Sequence, residues 1–244
     1  MTPIQAQSLP AILEAKDIQA QAKTGSSKTA AFGIGLLHQL DVQTYQTQAL
    51  VLCPTRELAD QVSKEIRRFG RPIPNTKILT LCGGAPIGPQ FASLDHQPHI
   101  VVGTPGRLLK HLQKDTLKLG RLKMLVLDEA DRMFDLGFIK DLRFLLHRLP
   151  KYDQRQSLMF SATLSHRVME LAYEHMNNPE KIRAEAGDLT AATIIESMYH
   201  TAMDEKLPLL INLLRNNEVE RGMVFINEKR TGEKLAAQLA KYGF

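Results

Sequence analysis

The feature that most constrains this chain is a recurring unit: a short run that is apolar at nearly every position, a polar turn, then a helical stretch. Met124-Leu125-Val126-Leu127 and Ala49-Leu50-Val51-Leu52 are the plainest runs. A strand that alternates apolar and polar residues keeps one face in water, whereas a strand apolar throughout is covered on both faces. Runs at 18–22, 48–53, 77–82, 99–103, 123–128 and 157–161 read as strands. Stretches at 30–40, 55–69, 107–112, 139–149 and 165–176 read as helices, because their apolar residues recur near three- and four-residue spacing. Helical crossovers between successive strands imply parallel pairing, so the expected fold is a doubly wound parallel α/β sheet. Ligands of such sheets bind beyond the carboxyl ends of the strands, and the turns after each run are therefore where chemistry is expected.

Around 184–193 the pattern dissolves into small and polar residues. A new cycle follows, with candidate strands at 194–200 and 222–227 and candidate helices at 206–214 and 229–242. The expected organisation is a first domain over 1–183, a linker over 184–194 and the start of a second α/β unit over 195–244. Two strands and two helices can scarcely cover a sheet on both faces. The chain stops at Phe244 straight after a helical pattern, so this second unit is expected to be incomplete.

Composition excludes some classes of function. Hydrophobic residues make up 43% of the 244 and charged residues 23%, which rules out a disordered or collagen-like chain. No apolar run approaches the ~18 residues of a membrane helix, and the first residues lack the basic and apolar blocks of a secretory signal. A cytoplasmic protein with no membrane partner is expected. Cys53 and Cys82 each end an apolar run, where buried free thiols are ordinary, and their separation gives no zinc spacing. A formal charge of +5 suits a polyanionic partner and equally a mildly basic soluble domain, so charge needs a site to support it.

The first strand runs into Ala22, Lys23, Thr24, Gly25, Ser26, Ser27, Lys28 and Thr29, and then into a helix. Strand, loop and helix come in the order a phosphate-binding loop requires, in which backbone N–H groups point at the anion, Lys28 reaches the terminal phosphates and the Thr29 hydroxyl can ligate magnesium, although Ala22 and Ser27 stand where the general pattern has glycines. Alone, such a stretch is equally a polar turn with a helix cap. Its partner is the strand 124–127 followed by Asp128, Glu129, Ala130 and Asp131. An acid at the end of a buried strand can hold Mg²⁺, and a second acid beside it can deprotonate an attacking water. The two halves together point to nucleotide hydrolysis. The other strand ends carry Pro54-Thr55-Arg56, Gly83-Gly84, Thr104-Pro105-Gly106-Arg107 and Ser161-Ala162-Thr163. Small residues, hydroxyls, helix N-terminal amides and arginines are the groups that bind a sugar–phosphate backbone.

In this order the motifs resemble those of DEAD-box ATP-dependent RNA helicases of the bacterial type, over the whole chain. The signatures are Thr2-Pro3-Ile4-Gln5, the loop at 22–29, Pro54 to Ala59, Gly83-Gly84, Thr104 to Arg107, Asp128 to Asp131, Ser161 to Thr163 and Val224-Phe225-Ile226-Asn227. Up to Arg132 the chain looks most like the type that acts on ribosomal RNA; from Phe134 to Ile182 it looks more like the type associated with RNA degradation. The resemblance implies a RecA-like P-loop NTPase domain, a truncated second RecA-like domain, ATP and Mg²⁺ as cofactors, and RNA bound mainly through its backbone. Ribonucleoprotein or RNA-degradation partners are implied as well. By the same resemblance Gln5 reads the adenine, residues 22–29 hold the triphosphate, Asp128 with Thr29 positions magnesium, and Glu129 is the general base. Asp131, Ser161 and Thr163 would couple the nucleotide site to RNA. Pro54, Thr55, Arg56, Gly83, Gly84, Thr104, Pro105, Gly106 and Arg107 would line the RNA path. A motor acting on DNA and a degenerate, non-catalytic RNA-binding module are the competing readings.

Two departures from the family pattern matter. Ser27 stands where the family has glycine; a positive φ there would cost serine on the order of 1 kcal/mol, and weakened ATP binding or turnover is the expectation. The completion of the family's second domain after Asn227, with the arginines that close on the γ-phosphate, does not appear before Phe244, so low activity from these residues alone is expected.

Overall fold

The computed structural model describes residues 1–22, 27–183, 195, 197–216 and 221–244. All six expected strands form: β1 Ile18–Gln21, β2 Ala49–Leu52, β3 Ile78–Leu81, β4 Ile100–Gly103, β5 Met124–Leu127 and β6 Gln156–Ser161. A seventh, β7 Glu180–Arg183, pairs with β1 at one edge. Pairing is parallel throughout, in the order β3-β4-β2-β5-β6-β1-β7. The helices between them are α1 Pro3–Leu13, α2 Lys28–His38, α3 Arg56–Gly70, α4 Gly88–Asp95, α5 Pro105–Gln113, α6 Ala130–Asp135, α7 Ile139–Leu146 and α8 His166–His175.

The apolar runs do what their pattern requires. In β5, Met124 and Val126 enter one core with Ile4, Phe32 and Ile66, while Leu125 and Leu127 enter a second core with Leu108, Leu142 and Leu171. Alternate residues of β2 divide in the same way, Ala49 and Val51 against Leu50 and Leu52. Helix α3 shows how a crossover is specified. The Thr55 hydroxyl accepts from the Leu58 N–H, Glu57 sits in the first turn and Arg67 and Arg68 in the last, all favourable to the helix dipole. Its buried stripe of Ala59, Val62 and Ile66 recurs at three and four residues, with roughly 1.5–3 kcal/mol for each large side chain withdrawn from water. At the amino-terminal edge of the sheet, Gln156 donates to the carbonyls of Ile12 (3.0 Å) and Lys16 (2.8 Å) and accepts from Gln39 (2.8 Å). It fastens the ends of α1 and α2 to β6 and so fixes where their other ends lie. Cys53 and Cys82 are free and buried.

The chain divides into two compact units, Met1–Leu189 and Thr190–Phe244. The linker expected over 184–194 lies outside the described residues. In the second unit the helices form, as α9 Lys206–Asn216 and α10 Lys229–Lys241, but the strands expected at 194–200 and 222–227 do not, among the described residues. Residues 222–227 are irregular, with Phe225 87% exposed. A parallel strand exists only by hydrogen bonding to a neighbour, and an apolar run with no sheet beside it gains nothing from extending.

Candidate active site and strand-end groove

The sheet order sorts the candidate residues along one edge. The carboxyl ends of β5, β6 and β1 carry Asp128 and Glu129, Ser161 to Thr163, and the phosphate-loop segment. Those of β3, β4 and β2 carry Gly83 and Gly84, Thr104 to Arg107, and Pro54 to Arg56. Residues far apart in sequence therefore form two adjoining clusters with β5 next to β2 at the junction.

In the first cluster Ala22 continues β1, its N–H donating to the Ser161 carbonyl (3.0 Å). Lys23, Thr24, Gly25 and Ser26 lie outside the described residues. Ser27 is in the left-handed region, φ +58°, ψ +32°, at the N-cap of α2. Gln5, on the first turn of α1, donates from Nε2 to the Ser27 carbonyl (3.0 Å) and accepts at Oε1 from the Thr2 N–H (2.9 Å). The N-terminal helix is thereby tied to the end of the loop. Thr29 is buried in the first turn of α2.

Lys28 and Asp128 meet in the floor of this cluster. Their side chains are 6% and 2% exposed, with Nζ 3.7 Å from Oδ1. That separation is too long for a hydrogen bond, and neither atom has another partner among the described residues. Burial pushes the Asp128 carboxyl up to about 6; the Lys28 charge pulls it down and the Glu129 charge pushes it up. A buried ammonium and a buried carboxylate oxygen, both short of partners, leave a place for a group that accepts from one and is ligated by the other. A phosphate oxygen and a hard cation together satisfy those conditions. Among the described residues no group of three or more His, Cys, Asp or Glu is placed to hold a metal. A cation at Asp128 would thus share its coordination with ligand oxygens, which is the habit of Mg²⁺ with phosphates. Glu129, buried and also left-handed at φ +50°, begins α6. Non-glycine residues in that region carry strain of about 1 kcal/mol or more.

Asp131 joins the β5 end to the β6 end. Its Oδ2 accepts from the Thr163 N–H (2.9 Å) and hydroxyl (3.0 Å), and its own N–H donates to the Ser161 hydroxyl oxygen (3.2 Å). Ser161 in turn donates to the Thr163 carbonyl (2.7 Å). Burial alone would raise Asp131, but the hydrogen bonds its carboxylate accepts from the Thr163 N–H and hydroxyl and from the Arg132 N–H hold it below its ordinary value.

The second cluster is a groove of about 480 Å³ lined by Pro54, Thr55, Arg56, Gly83, Gly84, Thr104, Gly106 and Arg107, with Glu57, Lys110 and Phe138. Pro105, expected with these residues, is instead buried as the first residue of α5, where its fixed φ starts the helix. Gly84 has φ +81°, and a Cβ there would collide with the Arg56 guanidinium. Lys110 and Phe138 were not among the expected groups. Lys110 stands one turn after Arg107 and is legible from helix spacing; Phe138 reaches the groove through the packing of α7 on α5, which no local pattern announces. Two larger cavities, each about 840 Å³, lie at loops of the opposite edge, around Asp17 and Gln156 and around Thr47 and Thr116, away from Lys28 and Asp128.

A family model described as DEAD/DEAH box helicase matches residues 2–171. The chain belongs to that family. It is 50% identical over 243 residues to the ATP-dependent RNA helicase DbpA of Escherichia coli (strain K12), with 100% of this chain and 52% of that protein covered. It is 44% identical over 251 residues to the ATP-dependent RNA helicase RhlB of Xanthomonas oryzae pv. oryzae, covering 100% of this chain and 44% of the relative. A DEAD box protein from the hyperthermophile Methanococcus jannaschii matches with a TM-score of 0.71 and 38% identity, over 100% of this chain and 64% of that one. The chain thus spans about half the length of the curated relatives it matches. In the DEAD box chain itself, Asp128-Glu129-Ala130-Asp131 is the motif that supplies the acids of the first cluster. No described helix is long and apolar enough to cross a membrane.

Proposed function

We propose that this chain binds Mg-ATP in its first cluster, hydrolyses it, and couples that cycle to RNA held in its second, as part of an ATP-dependent RNA helicase. The observation that carries the reading is the buried approach of Lys28 Nζ to Asp128 Oδ1, neither of which has a hydrogen-bond partner among the described residues. In this reading the amides at the start of α2 and the Lys28 ammonium hold the phosphates, and Gln5 faces the adenine. Thr29 and Asp128 hold Mg²⁺, which when bound supplies charge neutralisation on the phosphate oxygens. Glu129 orients the attacking water and takes its proton on the carboxylate. No covalent intermediate is required; positioning and electrostatics suffice for phosphoryl transfer.

The Asp131–Thr163–Ser161 bonds tie the strand ends that flank the nucleotide, so a shift of Asp131 on ATP binding is felt at once by β6. The groove offers hydroxyls, backbone groups at the strand ends, two arginines and Lys110, the groups that hold phosphates and sugars, which supports binding of an RNA mainly through its backbone. The names of the relatives favour RNA over DNA. The same reading sets the protein in the cytoplasm with ribonucleoprotein or RNA-degradation complexes as its partner class. Replacing Glu129 with Gln separates binding from chemistry. Glu129→Gln is expected to retain Mg-ATP with near wild-type affinity and to lose single-turnover hydrolysis by 10²-fold or more. Hydrolysis at the wild-type rate would remove Glu129 from the role of base.

A further inference from the structure

We propose that Gln90, on α4, is the positioning residue that aims Arg107 into the strand-end groove. The inference rests on the reading of that groove as a site for an RNA backbone. Gln90 Nε2 donates to the Cys82 carbonyl at the end of β3 (3.2 Å), which turns Oε1 toward α5. That single oxygen accepts from Arg107 Nη1 (3.0 Å) and stands 2.9 Å from His111 Nε2. An amide oxygen only accepts, so His111 carries a proton on Nε2; its Nδ1 stands 3.0 Å from the Thr116 hydroxyl, which donates to the His111 carbonyl (3.1 Å). The imidazole is buried, Phe91 packs edge-on against it with ring centroids 5.4 Å apart, and burial and the Arg107 charge lower its pKa.

Arg107 Nη2 also donates to the Ala85 carbonyl (2.8 Å), in the turn after Gly84. The guanidinium is thus held by Gln90 and Ala85, and its remaining donors, which have no hydrogen-bond partner among the described residues, can meet a phosphate in the groove. A long side chain fixed before the ligand arrives loses less rotamer freedom on binding. Gln90 lies beside the groove, lining an adjoining cavity of about 230 Å³ that shares Arg56, Glu57, Gly83 and Gly84 with it, and it acts through Arg107.

The test is a double-mutant cycle on the full chain, with a fluorescently labelled single-stranded RNA as the probe and anisotropy as the readout. Gln90→Leu is expected to weaken RNA binding roughly three- to tenfold, the range of one hydrogen bond. Gln90→Glu keeps an acceptor for Arg107 but loses the donor to the Cys82 carbonyl, and is expected to bind RNA more tightly than Gln90→Leu and less tightly than wild type. In the Arg107→Ala background Gln90→Leu is expected to have no further effect, which a merely structural role would not produce. Mg-ATP affinity of the same samples is expected to stay constant. If Gln90→Leu fails to fold, Gln90→Ser carries the same expectations. Equal losses in both backgrounds, or no loss in Gln90→Leu while Arg107→Ala weakens RNA, overturns the proposal. No effect of Arg107→Ala overturns instead the RNA reading of the groove on which it rests.

Discussion

Replacing Ser27 with Gly changes the backbone energetics at the start of α2 and little else. Ser27 sits at φ +58°, ψ +32°, well inside the left-handed region. For an L-residue with a Cβ this region lies about 1–2 kcal/mol above the right-handed one, whereas glycine enters both with nearly equal ease. The carbonyl that this geometry orients accepts from Gln5 Nε2 and from the Ala30 N–H, so the direction of the first amides of α2 depends on it. If ATP requires that orientation, the serine loop must be brought into it at binding, and apparent affinity falls by the fraction of time it is not there. Taking about 1 kcal/mol for the difference, after allowing for the greater flexibility of glycine, gives roughly a fivefold gain in affinity for Ser27→Gly. The assay is titration with a fluorescent ATP analogue at fixed Mg²⁺, on wild type, Ser27→Gly and Ser27→Ala. The alanine variant keeps the strain and removes the hydroxyl, so it is expected to behave like wild type. Identical affinities for serine and glycine would refute the reasoning, and a gain for alanine equal to that for glycine would move the cause from the backbone to the side chain.

Three further outcomes are expected. Gly84→Ala both strains a φ of +81° and drives a Cβ into the Arg56 guanidinium; RNA affinity by anisotropy is expected to fall about tenfold, with Mg-ATP affinity unchanged. His175, whose pKa burial and the neighbouring His147 bring down to about 4, binds a proton less readily folded than unfolded. Its contribution is fully present above pH 6.5 and is lost as pH falls from 6.5 toward 4; urea melts across that window are expected to lose roughly 2–3 kcal/mol, and His175→Gln to flatten the slope. Thr163→Val removes the hydroxyl bond to Asp131 while keeping the backbone one, and is expected to reduce RNA-stimulated hydrolysis more than ATP affinity, as the ratio of stimulated to basal rates will report.

How much of this was legible in the sequence differs by element, for physical reasons. Strands β2, β4 and β5 could be read because burial on both faces leaves an apolar run that needs no context, whereas β1, of Ile18, Gln19, Ala20 and Gln21, and the half-buried edge strand β3 were legible mainly from their place in the alternation of strands and helices. Strand β7 could not: it is an edge strand of Glu180, Lys181, Ile182 and Arg183 with one buried residue, and charge is how such edges are protected. Residues 222–227 have the composition of a buried strand and yet stay irregular, because composition supplies the side chains and only a neighbouring strand supplies the hydrogen bonds. The acids and the loop lysine were legible as a constellation, since their chemistry survives any ordering of the strands. Their 3.7 Å approach was not, because it depends on β6 lying between β5 and β1. Gln90 had no signal at all; its meaning comes from a carbonyl, an arginine and a histidine that the fold gathers around it.

The most direct test of the Lys28–Asp128 slot as a phosphate and magnesium site is the affinity of the chain for ATP, with Mg²⁺ and with EDTA, in wild type and in Lys28→Met. Saturable binding that weakens at least tenfold without Mg²⁺, and at least tenfold again in Lys28→Met with Mg²⁺ present, is the expected result. Equal affinity in all four measurements, or saturable binding indifferent to the metal, would contradict it.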